Sequence, residues 1–498
     1  MPRFHFECDM VFRFLRPATF FVVALLLVRY AVADEPAKEL RPSVKTALAD
    51  VERRAEELRR VHRAIWEFAE VGLEERRSSA LLIEQLTAAG FEVKSGVSGM
   101  PTAFVATYGS GKPVIGILAE YDALPGLSQN AAPERSPIVN EGPGHGCGHN
   151  ALGAGSLGAA LAVKAAMEKH SLPGTIRLYG TPAEETLIGK VYMTLDGVFD
   201  DLDVCLHWHP ADRNEAWLSS NKAAISAKFT FHGVAAHASG SPELGRSALD
   251  AVELMNTGAN FMREHVRDDA RIHYVIVDGG GQPNVVPAKA TVWYYVRSDD
   301  HDQAEAQFNW LRDIAQGAAL MTRTKMEMRI DTDCHEVILN QPLADVLTKN
   351  LQRVGAPKFT PEEVEFARRL QAPLAAQFGK PFATALDDEV TTAPRPSRSS
   401  GSTDVGDISW RVPTGGLKTT CFATDSPGHS WQNVACVGTS IGEKGMLYAS
   451  KVLAAAALDL FEDQQLVAQA RADFVERMKK RKYTTVIPDG QRPPQRIR

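Results

Sequence analysis

The chain is poor in cysteine and has no excess of basic residues. Six cysteines occur in 498 residues, and the five that follow residue 33 lie far apart. This spacing is unlike that of a disulfide-rich scaffold, so the thiols need a role other than disulfide formation. The 55 lysines and arginines are outnumbered by 61 acidic residues, for a net charge of −6. The composition therefore argues against a basic surface for nucleic acid.

Long apolar runs are also scarce, and the clearest one lies near the N-terminus. Residues 18–28 are predominantly apolar, follow Arg13 and Arg16, and precede small residues at 31–33. The run is too short to span a bilayer and is typical of a signal peptide. We therefore predict a leader over residues 1–33 and an exported protein, periplasmic or secreted, without a membrane anchor after cleavage. An uncleaved anchor is the alternative. Cleavage would remove four arginines and two acidic residues and change the net charge from −6 to −8.

Residues 144–150, with the sequence GHGCGHN, place one thiol and two imidazoles directly before a predicted helix. Residues 151–169 are rich in Ala and Leu, and their apolar positions have helical spacing. Cys147 and His149 are two residues apart, so both side chains can face one point at the N-terminus of this helix. A thiolate beside an imidazole suits zinc and related divalent metals. The segment therefore predicts one side of a metal site.

Helical and strand patterns alternate through the first part of the chain. Strands are predicted at 103–108, 114–119, 175–179 and 204–206, and a hairpin-like turn at 109–112 joins the first two. The alternation predicts an α/β fold with a mostly parallel sheet flanked by helices.

The pattern changes between residues 217 and 331, where alternating strands flank two helices. This region predicts an inserted α+β domain with a four-stranded antiparallel sheet. Residues 34–216 and 332–480 would then be the two parts of one catalytic domain. The Pro- and Arg-containing tail, 481–498, is predicted to be disordered.

Polar residues follow three of the predicted strands, at the edge of a parallel sheet where ligands bind. They are Glu120 and Asp122, Glu184 and Glu185, and His207 and His209. Adjacent carboxylates such as Glu184 and Glu185 can divide two tasks, since one can bind metal while the other transfers protons. One of His207 and His209 is predicted to be a ligand, and the sequence leaves open which.

Seven segments occur in an order that resembles the dinuclear metal amidohydrolases related to aminoacylase, hippurate hydrolase and auxin-conjugate hydrolases. They are IWEFAE at 65–70, EYDALPG at 120–126, GHGCGHN at 144–150, PAEE at 182–185, WHP at 208–210, GSTDVGD at 401–407 and GHS at 428–430. The resemblance covers about residues 45–475 and is greatest to the branch that contains the B subunit of aminobenzoyl-glutamate hydrolase.

The resemblance implies a site with two divalent metal ions, manganese or zinc. Its ligands would be Cys147, His149, Glu185, His209 and His429, with His207 as the alternative to His209. Glu184 would be the general base. The inserted domain resembles the family's lid and dimerisation domain. In it, His237 would reach a neighbouring subunit's site to polarise the scissile carbonyl, and Asn284 would help to hold the substrate.

The expected activity is metal-dependent hydrolysis of an amide bond in an N-acyl amino acid, an aminobenzoyl-glutamate-like compound or a small dipeptide. An acidic substrate needs a basic partner, for which Arg297 is one candidate and Lys222 another. A homodimer is expected, with a second, related subunit as the alternative partner. Three other interpretations remain: a dipeptidase or carboxypeptidase-like exopeptidase, a thiol hydrolase that uses Cys147 and His149, and a non-catalytic metal-binding relative.

Overall fold

The computed structural model describes residues 40–379 and 381–496. The predicted leader, residues 1–33, lies outside the described residues. Among the helices of the described ranges, none combines the length and the apolar character needed to traverse a bilayer.

The helices are α1 (Pro42–Arg53), α2 (Ala55–Phe68), α3 (Arg76–Ala88), α4 (His149–His170), α5 (Gly189–Leu195), α6 (Ala248–Met262), α7 (His301–Thr322), α8 (Gln341–Val354), α9 (Pro361–Phe378), α10 (Val405–Ser409), α11 (Trp431–Val437), α12 (Ser440–Glu462) and α13 (Gln464–Met478).

The strands are β1 (Glu92–Ser95), β2 (Phe104–Ser110), β3 (Val114–Ala119), β4 (Gly174–Gly180), β5 (Val204–Ala211), β6 (Glu215–Trp217), β7 (Ser219–Ser220), β8 (Ala223–His232), β9 (Arg271–Asp278), β10 (Lys289–Ser298), β11 (Lys325–Cys334), β12 (Ser397–Arg398) and β13 (Thr414–Thr420).

The larger sheet has seven strands in the order β1-β2-β4-β3-β5-β13-β6. Its central strands β4, β3, β5 and β13 run parallel to one another, β2 and β6 pair antiparallel with this group, and β1 pairs antiparallel with β2. All residues of β3 are buried, as expected for a strand covered on both faces. Ile115 and Ile117 belong to one apolar core, and Val114 and Leu118 belong to a second. The predicted α/β fold with a mostly parallel sheet is confirmed.

The predicted hairpin between the strands at 103–108 and 114–119 is wrong. Strand β2 pairs with β4, and β3 lies on the far side of β4. The residues of β2 become more exposed toward its C-terminal end, as expected for a strand near the edge of a sheet. Strand β3 is apolar on both faces and therefore takes a central position between two parallel neighbours.

The order of the sheet reverses at β3. The chain passes from β3 through α4 to β4 on one side, and then returns to β5 on the other side. In open parallel sheets such a reversal leaves a crevice at the carboxyl ends of the strands. The segments that carry Glu120, Glu184 and His209 all reach this crevice.

Helix α4 is buried along most of its length, between the sheet and helices α1, α2 and α12. A helix that is apolar all round needs such an interior position. Because α4 is enclosed, its first residue, His149, is held in place at the crevice.

The inserted region forms a separate four-stranded antiparallel sheet in the order β11-β8-β10-β9. Helices α6 and α7 cover one face of this sheet. The partly buried Trp293, Tyr295 and Arg297 alternate with the buried Tyr294 and Val296 along β10 and therefore lie on the opposite face. We call the region from β8 to β11 the lid.

The C-terminal segment, for which the sequence predicts disorder, packs against the rest of the chain. Ile487 is buried. The Val486 N–H donates to Asp333 at 2.7 Å, and the Gln491 side-chain amide donates to the Ile330 carbonyl oxygen at 2.7 Å. The two apolar residues Val486 and Ile487 interrupt the polar tail and anchor it.

Candidate active site

Cys147 and His149 flank a tight turn at the start of α4. Gly148 has a φ of 80°, a left-handed conformation that favours glycine. The His149 Nδ1 donates to Asp122 at 2.9 Å, which leaves the Nε2 lone pair available to a metal ion. This Nε2 is buried and has no hydrogen-bond partner among the described residues. The second histidine of the segment, His145, instead contacts the Ile65 carbonyl oxygen at 2.9 Å.

His209, and not His207, lies beside Cys147. The His209 Nε2 is 3.2 Å from the Cys147 sulfur. Its Nδ1 donates to the Pro210 carbonyl oxygen at 2.6 Å, which leaves Nε2 free for a metal. The ring of His207 packs against Trp217, with 5.0 Å between ring centroids. Both side chains point to one face of β5, and only His209 is far enough along the strand to reach the crevice.

Glu184 and Glu185 lie in a short 3-10 turn after β4. Ala183 (φ 56°) and Leu187 (φ 59°) on either side have left-handed backbones, which costs about 1–3 kcal/mol for each non-glycine residue. The Glu185 N–H donates to Asp122 at 2.9 Å. Asp122 therefore holds both the glutamate turn and His149.

His429 lies in the loop before α11, on the open side of the crevice. Its backbone is also left-handed, with a φ of 54°. The His429 Nε2 is 3.3 Å from the Glu185 carboxylate, and the side chain is 55% exposed. The structure thus brings His429 to Glu185 from a segment 244 positions later in the sequence.

Three groups of possible ligand atoms form here, each within 4.8 Å: Cys147 with His149 and His209; Cys147 with Glu185 and His429; and Glu120 with His149 and Glu184. Three buried atoms, Glu120 Oε2, His149 Nε2 and Glu185 Oε1, have no hydrogen-bond partner among the described residues. Buried polar atoms without partners are costly. This mixed sulfur, nitrogen and oxygen donor set therefore fits divalent ions.

The pKa shifts within the cluster also fit a site for positively charged ions. Burial, reinforced by Glu120, raises the pKa of Glu184 well above its usual range. Burial raises the pKa of Glu185 to about 8, although His149 opposes the shift. Burial also raises the pKa of the Cys147 thiol and lowers the pKa of His209 to about 4. Without added positive charge, these shifts favour the protonated forms of Glu184, Glu185 and Cys147.

Metal affinity is expected to rise with pH between pH 6 and 8. Because burial raises the pKa of Glu185 to about 8 and also raises the pKa of the Cys147 thiol, a metal ion must displace protons from both groups in this range. Each displaced proton weakens apparent binding about tenfold for each pH unit below the pKa of its group, so two displaced protons weaken it about a hundredfold. Chelator-competition titrations of Mn²⁺ and Zn²⁺ between pH 6 and 8 would measure this slope. An affinity independent of pH across this range would contradict the prediction.

The predicted lid residues His237 and Asn284 lie together on the exposed surface of the lid. The Ala238 N–H donates to the Asn284 carbonyl oxygen at 3.0 Å, and both His237 and Asn284 are exposed. Within the described part of the chain, neither residue makes a hydrogen bond or ion pair with the cluster. His237 instead accepts hydrogen bonds from the N–H groups of Ser239 and Gly240.

Two basic residues are candidates for binding an acidic substrate. Arg297 lines a cavity beside the cluster, and Lys222 does not. Arg297 donates through Nη1 to Ser402 Oγ at 3.0 Å. Its buried Nε has no hydrogen-bond partner among the described residues. Lys222 is occupied by an ion pair with Asp299 at 2.5 Å and by a hydrogen bond to the Asp269 carbonyl oxygen.

A cavity of about 520 Å³ lies between the lid and the cluster. Its walls include Glu185 and His429 from the cluster, Leu124 and Pro125 from the loop after β3, and His273, Trp293, Tyr295 and Arg297 from the lid. Another cavity, of about 600 Å³, lies at the amino ends of the strands beside Lys112, Asp203 and Val412. It contains none of the predicted site residues.

Four polar residues around the cluster were missed by sequence reasoning or given no role: Glu120, Asp122, Lys190 and Asp404. The sequence places Glu120 and Asp122 at the sheet edge, directly after the buried strand β3, but gives them no role. Lys190 is completely buried and pairs with Glu120 at 2.8 Å and with Asp404 at 2.6 Å. Its only sequence signal is a lysine among apolar residues just after the glutamate pair.

Comparisons with known proteins agree with this geometry. Residues 116–458 match the profile of peptidase family M20/M25/M40. The B subunit of the p-aminobenzoyl-glutamate hydrolase of Escherichia coli (strain K12) is 41% identical over 452 residues, covering 86% of this chain and 94% of the relative. The Xaa-Arg dipeptidase of Mus musculus is 29% identical over 453 residues, covering 88% of this chain and 93% of the relative.

The fold is shared with a solved dinuclear metal-binding peptidase of the M20 family from Bacillus subtilis. The two structures have a TM-score of 0.53 and 18% sequence identity, over 82% of this chain and 99% of the other. The family match covers more than half of the chain and agrees with the resemblance seen in the motifs. This protein is a hydrolase that belongs to peptidase family M20/M25/M40.

Proposed function

We propose that this protein hydrolyses the amide bond of an N-acyl amino acid with an aromatic acyl group, such as an aminobenzoyl-glutamate-like compound. One observation carries the proposal. A single cavity joins the metal-ligand residues Glu185 and His429, the guanidinium of Arg297 and the aromatic rings of Trp293 and Tyr295. The relative that is 41% identical is named for hydrolysis of p-aminobenzoyl-glutamate, which supports the same substrate class.

In this proposal Cys147, which belongs to two of the ligand groups, would contribute to the binding of two divalent ions, manganese or zinc. His149 and His209 would complete the protein ligands of one ion, and Glu185 and His429 those of the other. When bound, the ions would lower the pKa of a water molecule and polarise the scissile carbonyl.

Glu184 is proposed as the general base. Its carboxylate is 3.8 Å from His149 Nε2 and therefore lies next to the proposed ligands. The raised pKa of Glu184 suits a group that must take up a proton and release it again. Glu184 would accept a proton from the attacking water and return it to the leaving amine nitrogen as the C–N bond breaks.

Arg297 is proposed to bind the carboxylate of the substrate. Its Nη1 is anchored on Ser402, and its buried Nε is left without a partner among the described residues. A guanidinium with free donors is suited to a carboxylate. The rings of Trp293 and Tyr295, together with Leu124, would then contact the aromatic acyl group.

A substrate panel tests this function and the role of Arg297 together. The panel is p-aminobenzoyl-glutamate, an aminobenzoyl amide that lacks carboxylates, and an Xaa-Arg dipeptide, each with the metal-loaded protein. We expect the first to be the best substrate. Arg297→Gln should raise its KM about 10- to 100-fold, since charged hydrogen bonds contribute about 1.5–3 kcal/mol. The KM of the carboxylate-free amide should change little.

Arg263→Gln is the matched control, because this lid arginine also lies beside a tyrosine ring but does not line the cavity. A loss that is equal for all substrates would contradict carboxylate binding by Arg297. Preference for the dipeptide would favour an exopeptidase. Activity that survives complete metal removal would favour the thiol hydrolase, and metal binding without turnover would favour a non-catalytic relative.

We propose that a second subunit completes the site, either a second copy or a related chain. His237 and Asn284 are exposed on the lid and, within the described residues, make no hydrogen bond or ion pair with the cluster of their own chain. Strand β9 lies at the edge of the lid sheet, and its Val275, Ile276 and Val277 are also exposed. An apolar edge strand is a surface suited to pairing with another chain. The name of the 41% identical relative describes it as a subunit, which is consistent with a partner.

We also propose that the protein is exported and that residues 1–33 are removed. The support is the pattern of the segment itself, in which basic residues, a short apolar run and small residues follow one another. The five cysteines of the described region are free thiols, and four of them are buried. Burial protects these four from oxidation outside the cell.

A further inference from the structure

Glu120 lies at the end of β3, inside the cluster, and none of the roles proposed above uses it. The side chain is 4% exposed, and Oε1 is 2.8 Å from the Lys190 ammonium. The second oxygen, Oε2, has no hydrogen-bond partner among the described residues. It lies 3.3 Å from His149 Nε2, which is likewise without a partner. Two unpartnered, buried metal-binding atoms therefore face each other.

Lys190 and Asp404 hold Glu120 in this orientation. The Lys190 side chain is completely buried, and its Nζ is 2.6 Å from Asp404 Oδ1. The Lys190 N–H also donates to Asp404 Oδ2 at 2.8 Å. One ammonium thus faces two carboxylates, and the trio carries one net negative charge when both carboxylates are ionised. A cation on the free side of Glu120 would balance this charge.

We propose that Glu120 is a further metal ligand, which supplies a carboxylate oxygen to the ion on His149. Glu120, His149 and Glu184 form one of the three ligand groups, while His149 also belongs to the group of Cys147 and His209. Because Nε2 has a single lone pair, His149 serves one ion. Cys147, His209 and Glu120 would then all contribute ligand atoms to the ion that His149 would hold. The inference rests on the proposed two-metal centre.

This placement has a consequence for metal selectivity. Thiolate and imidazole ligands favour zinc, whereas carboxylate oxygens favour harder ions such as manganese. Glu120 therefore shifts the preference of this position toward manganese. Its loss should weaken manganese binding more than zinc binding, which a general loosening of the fold would not do.

Glu120→Gln is the test, because glutamine keeps the size of the side chain and can still accept a hydrogen bond from Lys190 but lacks the charge. The full chain is stripped with a chelator, and the binding of Mn²⁺ and of Zn²⁺ is measured separately by calorimetry. We expect Mn²⁺ affinity at one of the two sites to fall at least about tenfold and Zn²⁺ affinity to fall less. Glu336→Gln is the matched control, since this buried carboxylate pairs with Arg481 at 2.9 Å outside the cluster.

The outcomes separate this inference from the proposed function. If Glu120→Gln binds both metals like the parent, and the parent is an active two-metal hydrolase, the inference is overturned and the function stands. If the parent binds neither metal, the two-metal centre itself fails. If melting curves show that Glu120→Gln is unfolded, Glu120→Asp is tested in its place. The aspartate keeps the negative charge, but its side chain is one methylene shorter, so its oxygens lie farther from the ion. Weaker Mn²⁺ binding by the folded Asp variant would support the inference, and unchanged binding would overturn it.

Discussion

Replacement of Glu184 by glutamine is expected to lower kcat about 10²- to 10⁴-fold and to leave both metal ions bound. The amide has the size of the carboxylate but cannot accept a proton from the attacking water. Because Glu185 and the histidines would hold the ions, metal content should stay at the parental value. Steady-state kinetics on p-aminobenzoyl-glutamate, with metal content from mass spectrometry of the same samples, would measure both quantities.

Two further variants serve as controls for the Glu184→Gln experiment. Glu184→Asp keeps a carboxylate and should retain more activity than Glu184→Gln. Glu92→Gln removes an exposed glutamate from the edge strand β1 and should behave like the parent protein. If Glu184→Gln is as active as the parent, Glu184 is not the base. If it loses an ion, Glu184 acts as a ligand instead.

Replacement of Cys147 by alanine is expected to remove both ions and with them all measurable hydrolysis. The Cys147 sulfur belongs to both proposed ion positions, with His149 and His209 and with Glu185 and His429. Loss of a partner outside the ligand set already costs about 10- to 100-fold in metal affinity, so loss of a shared ligand should cost more. Metal analysis of protein dialysed against a weak chelator would show the difference.

Control variants separate the role of Cys147 as a ligand from a role as a nucleophile. Cys205→Ala removes a buried thiol from β5 outside the cluster and should keep its ions. Cys147→Asp retains one negative donor and should recover part of the metal content and activity. If Cys147 were a nucleophile instead, Cys147→Asp should show no measurable hydrolysis. Two tightly bound ions in Cys147→Ala would refute the shared thiolate.

Much of the local structure could be predicted from the sequence. The strand predicted at 114–119 is β3, residue for residue, and the helix predicted at 151–169 is α4, one residue longer at the C-terminus and two at the N-terminus. These segments are apolar on all sides, and the hydrophobic effect decides their burial regardless of partners. The same reasoning placed Glu120, Glu184 and His209 at the crevice, since side chains that follow parallel strands must meet at one edge.

Other features depended on contacts between distant segments. The turn at 109–112 has the composition of a hairpin, yet β4 enters between β2 and β3 because it pairs with both. Residues 481–498 have a polar composition typical of disorder, yet two apolar side chains anchor the described part of this segment, up to residue 496, beside β11. In both cases the partner lies more than 60 residues away, beyond the reach of a local pattern.

By itself, the sequence determined the family, the fold class and the kind of chemistry, because motif spacing and apolar periodicity are local properties of the chain. Only the tertiary structure placed His209 beside Cys147 and enclosed His207 against Trp217. Only the tertiary structure joined Lys190 to Glu120 and Asp404, which are 70 and 214 positions away. The positions of these side chains depend on burial and on ion pairs between segments that are distant in the sequence.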